Sequence, residues 1–272
     1  MYIQTYILAS NKIHPLNNSM EFAIKEENGF KFIYEGDGEV LVLLHGLMGE
    51  LSNWNEVVLE FKKDYRVIIP LLPLYDIPLL TTGVKTLAKF INKFVKYKKL
   101  RDITILGNSL GGHVGLIYTL NHPEEVKALV LTGSSGLYEN AFGGSFPRRE
   151  SYDFIKEKVE FTFYDPATAT KELVDEVYRI VNDRTKVIRI LAMAKSAIRH
   201  NMSKDIHNIK VPVCLIWGKD DRITPPDVAN EFHQLLPDSE LNWVDYCGHA
   251  PMMERPKEFN AHLRKFLERI KS

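Results

Sequence analysis

A serine in a glycine-rich corner is the first residue of this sequence that could do chemistry. Ser109 lies in the stretch ILGNSLGGHVG, where Gly107 and Gly111 complete the pattern G-x-S-x-G. A buried-strand pattern precedes the corner and a helical pattern follows it, and neither G-x-G-x-x-G nor a P-loop lysine is present. A serine hydroxyl becomes an effective nucleophile when a neighbouring base takes its proton. The pattern therefore favours a nucleophile at Ser109 over a plain tight turn.

A serine nucleophile needs a base and an acid that orients the base, and both residue types follow strand patterns downstream of Ser109. Asp220 and Asp221 come at the end of the apolar run in LIWGKDDRITPP, before a helix that begins at proline. His249 follows the last strand pattern in DYCGHAPMMERP, and of the nine histidines it alone lies after a strand end downstream of the acid. We expect His249 to be the base and one of the two aspartates to be the acid, with turn-capping aspartates as the alternative.

The tetrahedral oxyanion of such a reaction needs two preorganised hydrogen-bond donors. Ser109 opens a helix, so the backbone N–H of Leu110 is one predicted donor. The stretch LLHGLMGE ends another buried strand, and the backbone N–H of Leu47 is the second predicted donor. We interpret His45 in this stretch as a residue that shapes the loop rather than as a second base.

The elements that must position these residues alternate between strand and helix. Continuous β-branched and leucine runs, such as EVLVLLHG, are typical of strands buried on both faces, as in a parallel sheet. We predict an α/β fold with a mostly parallel central sheet, right-handed crossovers and flanking helices. An early strand pair is expected at about 21–26 and 30–35, and helices at about 83–98 and 256–271. Loops at the carboxyl ends of the strands would carry the candidate site.

The alternation stops in one part of the chain, and this defines the predicted domains. From 135 to 208 three helical patterns follow one another without a strand, which indicates a helical lid inserted into the α/β core of 20–134 and 209–272. Residues 1–19 are interpreted as an N-terminal arm, and we hypothesise that Met20 is the functional start because the fold pattern begins there.

Composition narrows the possible partners and the compartment. Lys plus Arg and Asp plus Glu number 35 each in 272 residues, which gives no reason to expect nucleic acid or an anionic membrane as partner. No apolar run approaches the roughly 20 residues of a membrane helix, and we find no signal peptide. Cys214 and Cys247 lie in apolar contexts, so we expect two buried thiols in a reducing compartment, the cytoplasm, rather than a disulfide. The sequence leaves open whether the chain forms a homo-oligomer.

Together these motifs resemble the α/β-hydrolase superfamily over about residues 20–272. The matching motifs, in chain order, are His45-Gly46 for the oxyanion loop, Gly107–Gly112 for the nucleophile elbow, Gly218-x-x-Asp221 with Pro225 for the acid, and Gly248-His249 for the base. The resemblance decides between the two aspartates, because the pattern G-x-x-D-x-x-x-P of the superfamily falls on Asp221. It implies a triad of Ser109, Asp221 and His249 that requires no metal and no organic cofactor.

The elbow GNSLGG and the lid opening TGSSGLYENAF look like the carbon–carbon hydrolases that cleave ring-fission products of aromatic degradation. In those enzymes a lid arginine commonly holds the carboxylate of the substrate, and Arg184, with Arg189 as its neighbour, is at a comparable place. A solvated helix arginine is the alternative for Arg184. Ala250 departs from this group, which usually has tryptophan after the base, whereas GHAPMMERP also fits carboxylesterases. A serine at 109 argues against epoxide hydrolases and haloalkane dehalogenases, which need aspartate there.

We therefore expect hydrolysis of an ester-like carbonyl compound through an acyl-enzyme, with a small hydrophobic substrate and water as partners. Carbon–carbon hydrolysis of a 2-hydroxy-6-oxo-dienoate, acyl transfer and a ligand-binding protein without turnover are the alternatives. Asn108 and Arg184 are the predicted polar substrate-binding residues, and Phe142 and Phe146 are the predicted apolar ones. The aromatic residues at this lid entrance, which include Tyr138, could equally seat the lid on the sheet.

Overall fold

The central sheet is the feature that positions every candidate residue. The structure is a computed structural model that describes residues 22–49, 53–140 and 148–271. In these ranges eight strands form one sheet in the order β1-β2-β4-β3-β5-β6-β7-β8. The strands are β1 Lys25–Glu27, β2 Phe30–Glu35, β3 Glu39–Leu44, β4 Tyr65–Pro70, β5 Ile103–Asn108, β6 Val126–Thr132, β7 Val213–Gly218 and β8 Ser239–Val244. Strand β2 is antiparallel to β1 and β4, and the strands from β4 to β8 are parallel, so the predicted mostly parallel sheet is confirmed.

Helices cover both faces of the sheet. The α-helices are α1 Asn55–Phe61, α2 Val84–Lys98, α3 Leu110–Asn121, α4 Tyr152–Glu160, α5 Lys171–Asn182, α6 Arg184–Arg199, α7 Pro226–Leu235, α8 Pro251–Glu254 and α9 Pro256–Lys271. Helices α2, α3 and α7 contribute to the hydrophobic core on one face, and α1 and α9 contribute to the core on the other. The predicted helices at 83–98 and 256–271 are confirmed as α2 and α9.

Strand β3 illustrates why the central strands read as continuous apolar runs. Val40, Val42 and Leu44 belong to the core on one face, whereas Leu41 and Leu43 belong to the core on the other. Successive side chains of a strand point to opposite faces, so a strand covered on both sides needs an apolar residue at every position. Truncating any one of these leucines would cost about 2–5 kcal/mol of the free energy of unfolding.

The first predicted strand is shorter than expected. The sequence predicts a strand at about 21–26, but β1 begins at Lys25, and its pairing with β2 places Glu27 opposite Phe30. Asn28 and Gly29 form the intervening two-residue turn with positive φ angles of 49° and 77°, which is the backbone that tight hairpins require. Because the pair lies at the edge of the sheet, only the residues next to the turn are held in the ladder.

The regular elements described between β6 and β7 are all helices. Helices α4, α5 and α6 follow one another there, together with short 3-10 helices at Pro166–Thr168 and Ile206–Asn208. The limits of the inserted lid, 135 and 208, stay a prediction. Cys214 and Cys247 are free and buried, as the apolar context predicts. Among the described residues, no helix is both long and apolar enough to cross a membrane.

Candidate active site

The carboxyl edge of the sheet brings the predicted site residues to one side of the molecule. Leu47 follows β3, Ser109 follows β5, Asp221 follows β7 and His249 follows β8. Since these four strands are parallel, the loops that follow them emerge at the same edge. The topology therefore gathers four residues that are up to 202 positions apart in the chain.

Ser109 occupies a strained corner between β5 and α3. Its backbone has φ 54° and ψ −120°, a conformation that non-glycine residues rarely adopt. The N–H of Ser109 donates to the carbonyl of Thr132 at 3.2 Å, and its own carbonyl accepts from the N–H groups of His113 and Ser135, both at 3.2 Å. These bonds hold the corner in place, and they match the sharp strand-to-helix turn on which a serine nucleophile is exposed.

Glycines flank Ser109 because backbones approach one another closely around it. A Cβ atom on Gly111 would lie 2.1 Å from the carbonyl oxygen of Leu44, and one on Gly107 would lie 2.5 Å from the Cα atom of Gly112. Neither gap accommodates a carbon atom next to rigid backbone. The glycines of the elbow are thus required by the packing of α3 against the ends of β3 and β5.

The two predicted oxyanion donors lie on neighbouring segments. Leu110 is the first residue of α3, and the first N–H groups of a helix have no acceptor within the helix and carry its positive dipole end. Leu47 lies in a turn that the N–H of Gly49 closes by donating to the carbonyl of Gly46 at 3.2 Å. The contact between Gly111 and Leu44 brings the start of α3 against the end of β3, from which this turn departs.

His45 fixes the loop after β3 and is held in one tautomer. Its Nε2 accepts from the N–H of Leu72 at 2.9 Å, and its Nδ1 lies 2.9 Å from the carbonyl oxygen of Gly46. Because one partner can only donate and the other can only accept, Nδ1 carries the proton and the ring is neutral. Burial lowers the pKa of His45. Both ring nitrogens bond the backbone, which agrees with the interpretation of His45 as a loop-shaping residue.

Asp221 is the aspartate that faces the predicted base. Its Oδ1 accepts from the N–H groups of Ile223 and Thr224 at 2.8 and 2.9 Å, and its Oδ2 accepts from the Thr224 hydroxyl at 2.8 Å. The Nδ1 of His249 lies 2.9 Å from the same Oδ2. Of the two candidate aspartates, Asp221 is therefore the one hydrogen-bonded to His249, and its carboxylate is also held by hydrogen bonds from its own loop.

His249 is buried and is oriented from two directions. Its backbone N–H donates to the carbonyl of Thr162 at 3.0 Å, and its side chain is 8% exposed. Burial by itself would lower the pKa of His249, but the charge of Asp221 and the hydrogen bond to it outweigh burial, and the pKa is raised. Since Nδ1–H donates to Asp221, Nε2 is the nitrogen left to accept a proton, which is the tautomer that a general base needs.

Asn108 is not placed to bind a substrate. The sequence predicts it as a polar substrate contact, but the residue is fully buried. Its Nδ2 donates to the carbonyl of Thr132 at 3.0 Å and to the carbonyl of His249 at 3.0 Å. Both amide hydrogens are therefore used on the backbone. Asn108 instead links the corner at Ser109 to the end of β6 and to the loop that carries His249.

Glu254 is a residue that the sequence analysis did not single out, although it lies within the stretch GHAPMMERP. Its Oε1 accepts from the N–H of Gly248 at 2.8 Å, and its Oε2 accepts from the N–H of Tyr164 at 2.7 Å. Tyr164 follows helix α4, so one carboxylate joins the stretch between β6 and β7 to the loop of His249. Burial raises the pKa of Glu254, while these backbone hydrogen bonds act in the opposite direction. The sequence feature that could have pointed to Glu254 is its position five residues after His249.

The remaining predicted substrate contacts are exposed or lie outside the described ranges. Arg184 is the exposed first residue of α6, which favours the solvated alternative. Its neighbour Arg189 donates from Nε to the carbonyl of Ile77 at 3.1 Å and from Nη1 to that of Thr185 at 2.9 Å, and so ties α6 to the loop after β4. Phe142 and Phe146 lie outside the described residues. Within the described ranges no group of three or more His, Cys, Asp or Glu side chains could hold a metal ion.

Comparison with known proteins agrees with this geometry. Residues 39–168 match the family model described as alpha/beta hydrolase fold. A crystal structure of an alpha/beta hydrolase enzyme from the metagenome of sediments from the lagoon of Mar Chica, Morocco, is 45% identical, covers 92% of this chain and 100% of its own, and superposes with a TM-score of 0.76.

Two curated relatives carry names that point to different reactions. One is 28% identical over 88% of this chain and 87% of its own length, and it is named 2-hydroxy-6-oxo-6-(2'-aminophenyl)hexa-2,4-dienoic acid hydrolase of Metapseudomonas resinovorans. The other is Lipase 1 of Psychrobacter immobilis, which is 25% identical over 88% of this chain and 81% of its own length. The fold, the strained serine corner and these similarities together show that the chain belongs to the α/β-hydrolase fold family and is a hydrolase enzyme.

Proposed function

We propose that this enzyme is a serine hydrolase that cleaves neutral carboxylic esters through an acyl-enzyme. The observation that carries the proposal is the buried 2.9 Å hydrogen bond between His249 and Asp221, beside the strained corner of Ser109. A buried imidazole oriented by a carboxylate is the arrangement that activates a serine hydroxyl. In this family the order serine, acid, histidine along the chain is also the expected one.

In the proposed reaction, the Ser109 hydroxyl attacks the ester carbonyl while Nε2 of His249 takes its proton. The carbonyl oxygen becomes an oxyanion that the N–H groups of Leu47 and Leu110 stabilise, and one such donor contributes roughly 10²–10³ in kcat. The ester C–O bond then breaks, and His249 gives its proton to the departing alkoxide. Water, deprotonated by His249, attacks the acyl-serine, and the carboxylic acid leaves as Ser109 regains its proton. Asp221 stays ionised and stabilises the imidazolium in both halves.

We place the small hydrophobic acyl group in an apolar cavity at the loop that follows β3. The cavity measures about 180 Å³ and adjoins His45, and its apolar lining includes Met48, Trp54, Leu72, Leu74, Tyr75 and Ile180. Mostly apolar walls with few polar groups are typical of sites for small organic ligands. The similarity to a protein named as a lipase supports an ester substrate in the same way.

The test is the turnover of p-nitrophenyl acetate and butyrate by the wild-type enzyme, Ser109→Ala and Ser203→Ala. Ser203 is a serine in the loop after α6 and serves as the matched control. We expect Ser109→Ala to lower kcat by at least about 10⁴-fold with an unchanged circular dichroism spectrum, and Ser203→Ala to keep wild-type rates. Turnover by Ser109→Ala at a rate near that of the wild type would exclude the proposal.

Hydrolysis of a carbon–carbon bond in a 2-hydroxy-6-oxo-dienoate is the second candidate. The 28% identity to the dienoic acid hydrolase of Metapseudomonas resinovorans is the observation that favours it. This reaction would use the same Ser109, His249 and Asp221, with an arginine to hold the substrate carboxylate. The exposed position of Arg184 counts against such a role. The test is to measure kcat/KM for the dienoate and for a set of esters with the same enzyme. If the value for the dienoate were larger than that for every ester, carbon–carbon hydrolysis would become the favoured function.

A further inference from the structure

One short segment contacts two of the predicted catalytic residues, His249 and Ser109, and the loop that carries the third. It runs from Gly133, at the end of β6, to Asn140. At its start, a Cβ on Gly133 would lie 2.8 Å from Nδ1 of His249, and the N–H of Ser135 donates to the carbonyl of Ser109 at 3.2 Å. The segment Gly133–Asn140 therefore forms part of the wall of the active site.

The far end of this segment is tied to the loop that carries the acid. The backbone N–H of Asn140 donates to the carbonyl of Ile223 at 2.7 Å, and its Nδ2 donates to the carbonyl of Arg222 at 2.7 Å. These two residues directly follow Asp221. Because hydrogen bonds hold both ends of the segment, Glu139, the residue before Asn140, has a defined position relative to the triad.

Glu139 is the acidic residue of this segment, and it is less exposed than the residues on either side of it. Its neighbours Tyr138 and Asn140 are exposed, Tyr138 by 58%, whereas Glu139 is partly buried. Burial raises the pKa of Glu139 to about 7, and the charge of His249 acts in the opposite direction. The same pair interaction contributes to the raised pKa of His249, so the carboxyl group of Glu139 and the imidazole lie close enough to interact.

We propose that Glu139 determines the charge class of the substrate by favouring neutral over anionic esters. The inference rests on the proposed function. Besides Asp221, whose carboxylate is already in the site behind His249, Glu139 adds a second negative charge when it is ionised. A substrate with a carboxylate of its own would bring a third negative charge into a partly buried space, and such like-charge contacts oppose binding strongly.

The pH dependence of this preference has a defined sign. Above a pH of about 7 Glu139 is ionised and discriminates against an anionic ester. Below that pH it is protonated, and the discrimination falls. The other carboxyl groups that interact with the imidazole are those of Asp221 and Glu254. Protonation of His249 also lowers activity in acid, but it lowers the rates of both esters alike. The ratio of the two kcat/KM values therefore cancels the titration of His249, and comparison with Glu139→Gln separates the charge of Glu139 from that of Glu254.

The experiment compares p-nitrophenyl pentanoate with the mono-p-nitrophenyl ester of glutaric acid, which differ at the chain end by a methyl group and a carboxylate. The kcat/KM ratio is measured from pH 5.5 to 9 for the wild type, Glu139→Gln and Glu172→Gln. Glu172 is an exposed glutamate in the first turn of α5 and serves as the matched control. At pH 9 we expect Glu139→Gln to raise the relative kcat/KM of the anionic ester by about tenfold, and we expect its ratio not to change with pH.

The wild-type titration is informative without any variant, because the ratio must change as the pH passes through about 7. A wild-type ratio that is constant with pH, or an equal ratio in wild type and Glu139→Gln at pH 9, would overturn the inference while leaving ester hydrolysis intact. An equal change in Glu172→Gln would overturn it as well, since the effect would then belong to the charge of the whole surface. Wild-type enzyme without turnover of either ester would instead contradict the proposed function.

Discussion

The imidazole of His249 is held by a carboxylate that its own loop has already oriented. Asp221 accepts three hydrogen bonds from Ile223 and Thr224, so its remaining interaction is directed at Nδ1 of His249. A carboxylate with several donors does not rotate away from the ring. This arrangement explains at the level of single residues why one tautomer of His249 is favoured.

We predict that Asp221→Asn lowers kcat by about 10⁴-fold, because the amide removes the negative charge that stabilises the imidazolium. The same change moves the acid limb of the kcat/KM profile to lower pH. Asp221 raises the pKa of His249 in opposition to burial, and activity rises with pH as His249 loses its proton. Without the carboxylate this pKa falls, and so does the pH at which the remaining activity appears.

Asp220→Asn is the matched control for this measurement, because it removes the neighbouring aspartate, which is not the one bonded to Nδ1 of His249. We expect its rate and its pH profile to stay close to those of the wild type. If the two variants had the same profile, the assignment of Asp221 as the orienting acid would be wrong.

Residue types and spacing predicted Ser109 and His249 directly, but they left two aspartates, and only the resemblance to the superfamily chose Asp221. The substrate contact predicted at Asn108 is wrong because its amide hydrogens bond the carbonyls of Thr132 and His249. These partners are 24 and 141 positions away in the chain. A sequence pattern gives the type of a side chain but not the partner that uses its hydrogen bonds.

Close backbone packing around helix α3 sets the geometry of the elbow at the level of elements. We predict that Gly111→Ala lowers the free energy of unfolding by about 1–3 kcal/mol, since its Cβ would lie 2.1 Å from the rigid backbone oxygen of Leu44. Relaxation of this clash would also move the start of α3, so esterase activity is expected to fall with stability. Urea denaturation and ester turnover measure the two effects.

Gly115→Ala, on the same helix, is the control. A Cβ there would meet methyl carbons of Ile105 and Leu129 at 3.1 and 3.3 Å, and these side chains can shift by a few tenths of an ångström. We expect a smaller loss of stability and little loss of activity. Equal effects of the two alanines would indicate that helix propensity, rather than the contact with β3, controls the elbow.

The alternation of buried-strand and helical patterns predicted the order of elements well, because both faces of the central strands are covered and every position must be apolar. The edge was predicted less well: β1 begins at Lys25 rather than near residue 21. An edge strand gains hydrogen bonds on one side alone, so the length of its ladder depends on its neighbour and not on its own pattern.

At the scale of the whole molecule, we propose that the substrate preference depends on residues that the loops bring to the site. Glu139 interacts electrostatically with His249, and its segment is hydrogen-bonded at one end to Ser109 and at the other to the loop after Asp221. No local sequence pattern around Glu139 predicts this proximity. Arg184, which the sequence resemblance suggested for a carboxylate, is instead exposed at the start of α6. The reaction class was therefore predictable from the motifs, whereas the substrate class depends on tertiary structure.

The most direct test of the account is the intact mass of the enzyme after reaction with a fluorophosphonate, followed by mapping of the modified peptide. An activated serine displaces fluoride and keeps the phosphonyl group as a stable adduct. We predict a single adduct on Ser109 in the wild-type enzyme and no adduct in folded Ser109→Ala. An adduct on another residue, or labelling of Ser109→Ala at the wild-type rate, would contradict the assignment of Ser109 as the nucleophile.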